Sequence, residues 1–417
     1  MIRLLLLLVA FVASGCASSG YHAVTPTPIA VAPPDLGEAR LLDVGVALTE
    51  TPELSARELE KQGTHSDIRA AERIFVPYHL RRTLNQSGFW GSVQVVPPEV
   101  PHVDLKVTSE LVESNGERMR LAVTATDASG RVWLERKYES EIDGTDYTDT
   151  VPGEHEAFQD LYNTVANDLS SFVRALTPEE IEEIRTVSEL AFAGAFAPDA
   201  YGGHLAEVDG RIVVQRLPAA GDPIMDRIER IRARDHMFNE TLDQYYEGCY
   251  TNMWEAYENW RRFNLAERVA LRELEQDAFT RTLTGILMIA AAVVLEVADV
   301  PNTNTVRDVL VLGGGQVVIS GVNVSEQKEI HAAAIEELSN SFGAEMRPTI
   351  VELEGKQYEL TGTAQEQYDR WRALLQRVYA AETGFDVDPE SLEADAPALP
   401  ETPDASDVSG APDPTTP

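Results

Sequence analysis

Eight histidines, two cysteines and 69 acidic side chains are the groups of this 417-residue chain best suited to chemistry. The histidines are His22, His65, His79, His102, His155, His204, His236 and His331, and no two stand at metal-ligand spacing. His155-Glu156 lacks a second histidine four residues on, so the helical zinc-protease pattern is absent. No Gly-x-Ser-x-Gly elbow occurs. Cys249 lies in a helical stretch without a recognisable base partner, which leaves it a small apolar residue rather than a nucleophile. A glycosidase-type carboxylate pair could come from any two of the acids, so their abundance locates none. The residues therefore name no catalytic group and no metal site, and no cofactor is expected.

The other cysteine has a distinctive neighbourhood. Met1-Ile2-Arg3 precedes an apolar run from Leu4 to Val12, which closes on Ala13-Ser14-Gly15-Cys16. One positive charge, a short apolar stretch and small residues make a secretory signal. The stretch is too short for a bilayer span of about 20 residues. With Cys16 directly after Ser14-Gly15, the segment resembles the lipobox of bacterial lipoproteins, in which the chain is cut before a lipidated cysteine. Ala13 departs from the leucine usual three positions before that cysteine. The resemblance implies residues 1–15 as signal peptide and a membrane partner through lipid on Cys16. Ala17-Ser18-Ser19 carries no aspartate, which by the same resemblance implies the outer membrane, facing the periplasm. A plain signal peptide with an incidental cysteine is the alternative.

Net charge is −35, and loss of Arg3 with the leader makes the chain one unit more acidic. Such a surface repels nucleic acid and anionic lipid headgroups, so no nucleic-acid partner is expected. A proteome-wide acidic habit would produce the same charge. With Cys16 lipidated, Cys249 has no partner for an intramolecular disulfide, and the fold must hold by packing.

Stepping along the chain, Pro26, Pro28, Pro33 and Pro34 make residues 16–39 an extended tether. Leu42, Val44, Val46 and Leu48 alternate as a strand, and a polar loop leads through Gly63 to Asp67. Ala70, Ala71 and Ile74 keep helical spacing, and Pro77 suits the first turn of a new helix. Val76, Leu80 and Leu84 stack on one face before Gly88. Strands follow at Val93-Val95, Val103-Val107, Met119-Ala125 and Val132-Leu134, the last two joined by the turn Asp127-Ala128-Ser129-Gly130. The expected fold is α+β. An N-terminal β-α-β-β-β sandwich of consecutive antiparallel strands, residues 40–145, precedes a mainly helical body, residues 154–385. The phrases Tyr78-His79-Leu80-Arg81-Arg82-Thr83-Leu84 and Ser87-Gly88-Phe89-Trp90, with that element order, resemble periplasmic domains of envelope lipoproteins. These are the auxiliary lipoproteins of ABC-type transport systems and those assisting cell-wall synthases or curli secretion. The resemblance covers about a quarter of the chain and brings no catalytic residue.

In the helical body, Thr177-Pro178-Glu179-Glu180 reads as a capped helix start, and Arg211 to Val214 as a strand. A long helix is expected from Pro223 to about Ala298. Tyr246, Tyr250, Trp254 and Tyr257 form one stripe along it, either a core face or an interaction surface able to stack on a sugar chain. Leu283 to Val300 and Val306 to Val324 form an apolar hairpin. Ala290, Ala291 and Ala292 on one arm and Gly313, Gly314 and Gly315 on the other permit close approach. Core packing, self-association and membrane contact are its three readings. A β-hairpin near 349–360 and a helix from Thr363 to Glu382 follow. Residues 386–417, with nine acids, seven prolines and no lysine or arginine, are expected to be disordered.

These features point to a non-catalytic, lipid-anchored scaffold or protein-interaction module with an envelope protein partner. An oligomeric subunit of an outer-membrane export or assembly complex, as a homo-oligomer, is the second reading. A cell-wall glycan-binding or glycan-processing protein is the third.

Overall fold

The computed structural model describes residues 27–98, 102–142, 156–297, 348–353 and 356–383, with the backbone alone described from 270 to 297. The protein is α+β. Strands β1 (Val44–Ala47), β2 (Val93–Val96), β3 (Leu105–Ser114), β4 (Arg118–Asp127) and β5 (Val132–Glu141) form one sheet in the order β2-β1-β3-β4-β5. The expected run of antiparallel strands is corrected here, because the sheet is mixed. Val44 pairs in parallel with both Val93 and Leu105, while β3-β4 and β4-β5 are antiparallel. Strand β1 is buried at all four positions. Burial on both faces favours a continuous apolar run over alternation, and a connection long enough to hold helices permits the parallel pair.

That connection holds two helices, α1 (Ala56–Gln62) and α2 (Ser66–Ser87). The polar stretch before Gly63 is therefore α1 rather than loop. Ser55 and Glu58 close a capping box, and Gly63 ends the helix at a positive φ of 70°, as such ends favour. Pro77 does not open a new helix either: α2 runs through it. A mid-helix proline has no N–H for the carbonyl four residues back. The carbonyl of Arg73 instead accepts from the N–H of Thr49, just beyond β1, at 3.1 Å. Proline thus fastens the helix to the sheet.

Helix α2 is buried on two sides. Val76, Leu80 and Leu84 join the inner sheet face in a first core, with Leu161, Val165 and Leu169 of α3 (Gln159–Ala175) and Ile181 and Ile184 of α4 (Pro178–Phe196). This core crosses the boundary drawn between residues 145 and 154. On its other side, Ile68, Ala71, Phe75 and Tyr78 meet the long helix α6 (Pro223–Val297). A further core gathers α4 and the short α5 (Pro198–Tyr201) against the first part of α6. It also takes in the hairpin β8 (Thr349–Leu353) and β9 (Lys356–Leu360) and helix α7 (Ala364–Thr383). A small hairpin, β6 (Leu205–Val208) and β7 (Arg211–Val214), lies on the β4-β5 turn, where Ile212 N–H donates to Ser129 O at 2.8 Å.

Both sheet edges are managed. At β2 the Val95 N–H donates to Asp243 of α6 at 2.7 Å, a side chain filling the place of a neighbouring strand. β5 carries Glu135, Arg136, Lys137, Glu139 and Glu141, charges that discourage strand addition.

The β3-β4 turn presses on α6. Gly116, at φ 74°, would place a Cβ 2.6 Å from the Arg261 carbonyl, and Asn264 donates to the carbonyls of Gly63 and Asn115 at 2.8 and 2.7 Å. Gly116→Ala is expected to cost about 2–3 kcal/mol, from the left-handed backbone and the contact together. Urea denaturation checks this, and a loss within about 0.5 kcal/mol, typical of a neutral surface change, would contradict it.

Residues 27–36 correct the expectation of a free tether. They run along α3, with Ala30, Ala32 and Leu36 packed on the first core. Cys16 lies outside the described residues.

Candidate functional site

A buried cluster of ionisable groups surrounds Arg261, on the face of α6 that carries the aromatic stripe. Tyr250 stacks on Tyr78 at 3.9 Å and meets Phe75 edge-on at 4.9 Å, and Phe75 lies 4.3 Å from Tyr257. Tyr246, Tyr250, Trp254 and Tyr257 are 3, 2, 7 and 1% exposed. The interaction-surface reading of this stripe is therefore corrected: it is core. Its i, i+4, i+8, i+11 spacing is what seats it against α2.

Charge is threaded through this aromatic layer. Arg261, fully buried, donates to both oxygens of Glu156, to Oε2 at 3.1 Å, and to Glu258 at 2.7 Å. Its guanidinium lies 4.5 Å from the Tyr257 ring centre. His79 Nε2 stands 3.4 Å from Glu156. Tyr257 donates to Glu72 at 2.7 Å, and Ser114 Oγ donates to the same carboxyl oxygen. Burial pushes His79 down to about 4 and outweighs the attraction of Glu156, so its imidazole is neutral at pH 7. Burial also raises Glu72, beyond what its two hydrogen bonds offset. At Glu156 burial acts upward too, but Arg261 beside it holds the carboxyl below its usual range. One arginine, ionised Glu156, a neutral histidine and a carboxyl inclined to hold its proton form a sealed network. The ion pairs of Arg261 and the hydrogen bonds to Glu72 fix α6 against α2, β3 and the segment before α3.

A second group lies at the end of β1 and β2 facing α4 and α6. Asp235 and Asn239 are buried, and Asp235 Oδ1, Asn239 Oδ1 and Arg232 Nε have no hydrogen-bond partner among the described residues. They line, with His102 and Gln94, a slot of about 20 Å³. That space admits one water and no metabolite. The outer sheet face carries an open groove of about 340 Å³ walled by Thr108, Glu110, Thr124, Glu135 and Lys137. It lacks the enclosing apolar walls of a small-molecule site. Among the described residues no group of three or more His, Cys, Asp or Glu side chains could hold a metal ion. Cys249 is buried and its thiol is pushed up to about 11 by burial, unlike an activated nucleophile.

Ala290, Ala291 and Ala292 fall on the α6 backbone, but their side chains lie outside the described residues, as do Gly313, Gly314, Gly315 and the tail 386–417. Among the described residues, no helix is long and apolar enough to cross a membrane. The Arg261 network escaped sequence reading because Glu156 lies 105 residues away. The one local hint was Glu258 and Arg261, three apart within an aromatic helix.

No family model matches the chain, and no curated protein matches it. A solved protein from Xanthomonas campestris, of the family DUF330, aligns with 39% of this chain and 95% of its own at 11% identity. The TM-score of 0.19 is too low to show a shared fold.

Proposed function

We propose that this chain is a non-catalytic, lipid-anchored envelope protein that acts as a periplasmic protein-interaction module. The observation that carries the non-catalytic part is the use made of the ionisable side chains that converge. Arg261 pairs with Glu156 and Glu258, His79 stands beside Glu156, and Glu72 accepts from Tyr257 and Ser114, all of them buried. The anchoring part is supported by the leader and Ser14-Gly15-Cys16. Two or more acyl chains give stable attachment, at about 0.8 kcal/mol for each buried CH₂. The partner is an envelope protein, and the membrane is reached through the lipid alone.

The test is Cys16→Ser in a Gram-negative host, with palmitate labelling and membrane fractionation. The wild-type chain is expected to take up label and to fractionate with the outer membrane. The variant is expected to lose the label entirely and to leave that fraction. A Cys16→Ser protein that still carries lipid and still follows the outer membrane would end this reading. Light scattering on the purified protein addresses the homo-oligomeric alternative, which a strict monomer excludes.

A further inference from the structure

Residues 27–32 are held on α3 by a row of side chains that read backbone rather than sequence. Asp160 Oδ1 accepts from the N–H and the hydroxyl of Thr27, at 2.7 and 2.5 Å. Asn163 donates to the Thr27 carbonyl at 2.8 Å. Asn167 is used twice, accepting from Ala30 N–H at 2.7 Å and donating to the Pro28 carbonyl at 2.9 Å. Ala32 N–H then donates to the last turn of α2, at Ser87 O, 2.8 Å away. Positions 160, 163 and 167 fall on one helix face by their spacing. Two side-chain amides and one carboxylate thus serve a segment that pairs with no strand among the described residues.

Three of these six bonds lie at the surface, and Val31 between them is 66% exposed. The segment packs Ala30, Ala32 and Leu36 against the first core but supplies none of its fully buried side chains, so it can leave without opening that core. From Gly37 onward the chain is held separately. Arg40 donates to Leu176 O at 3.1 Å, and Arg185 of α4 donates to Glu38 O at 2.9 Å.

We infer that residues 27–36 form a releasable strap that sets how far the body stands from its membrane anchor. The consequence for height rests on the proposed lipidation of Cys16; the docking and release do not. With the strap docked, eleven residue steps separate Cys16 from Thr27, a reach of at most about 40 Å. Released to Gly37, twenty-one steps allow about 75 Å. A partner deeper in the periplasm then becomes reachable at the cost of these hydrogen bonds and the packing of Ala30, Ala32 and Leu36.

Hydrogen exchange and fluorescence height measurement on the lipidated protein in supported bilayers test this. The Thr27, Ala30 and Ala32 amides are expected to be protected, yet to exchange on the order of 10-fold or more faster than β4 amides, by local opening. Ala30→Pro with Ala32→Pro removes two donors from the strap side and leaves α3 untouched. This variant is expected to keep β4 protection, lose strap protection and raise the mean height on the order of 10 Å. Asp160→Ala with Asn167→Ala should do the same from the helix side. Strap amides exchanging only with the whole core, or not protected at all, would overturn the strap. Unchanged height in both variants despite lost protection would overturn its control of reach. Failure of the anchor itself reads differently, as Cys16→Ser protein that still carries lipid and follows the outer membrane.

Discussion

Arg261→Ala is expected to cost about 3–5 kcal/mol of folding stability. The guanidinium is fully buried and pairs with Glu156 and Glu258 at once. Removing it leaves two buried carboxyls without their cation and a void beside Tyr257 and Phe158, whose rings it faces at 4.5 and 5.6 Å. Glu156 loses the charge that now holds it low and must take up a proton or draw in water. Arg261→Lys should fail to rescue, because a single ammonium cannot repeat the planar fork to Glu156 and Glu258. Arg261→Met combined with Glu156→Gln should be less destabilised than Arg261→Ala, since it removes charges of both signs. Urea unfolding followed by the fluorescence of Trp254 and Trp260 provides the measurement. A loss under about 1 kcal/mol for Arg261→Ala would place this cluster with solvated surface pairs.

The second large effect is a pH dependence that His79 brings to folding. Burial pushes its imidazole from the ordinary 6.5 down to about 4, while the unfolded chain protonates it near the ordinary value. Between these two values the unfolded state holds more protons, so stability is lost as pH falls through the window. The full window is worth about 3 kcal/mol. Glu72, Asp104, Asp235 and Asp243 act in the opposite sense, because burial raises each of them and acid then favours the folded state. The wild-type curve sums these terms; comparison with His79→Gln isolates the histidine. The variant is expected to be less stable at pH 7, where it loses ring contacts with Tyr250 and Tyr162. From pH 7 to about 4.5 it should lose about 2–3 kcal/mol less than the wild type. Parallel curves would show that His79 is not a buried neutral imidazole.

Legibility differed between elements for identifiable reasons. The helix after Thr177 was readable because its cap is local: Thr177 and Glu180 satisfy each other's backbone within one turn. The hairpin β8-β9 and helix α7 were readable from period and turn residues alone. Pro77 misled, because a proline inside a helix is decided by whether something else takes the orphaned carbonyl. That carbonyl, of Arg73, finds its partner in Thr49, 24 positions away. Residues 27–36 misled for the same kind of reason. Proline-rich composition describes a chain that cannot pair with itself, and it is silent about a distant helix face able to serve it.

The aromatic stripe shows where the division lies. Its spacing determined that four rings share one side of α6, since helix geometry is local. Whether that side met solvent or protein depended on α2, which is buried on both its sides and could be read only once both neighbours were known. By itself the sequence determined the acidic charge, the α+β class and the long helix. The tertiary structure alone decided the mixed sheet, the docked strap and the pairing of Arg261 with Glu156. Periodicity and capping act over a few residues, whereas pairing, burial and charge neutralisation are settled between segments that meet only after the chain has folded.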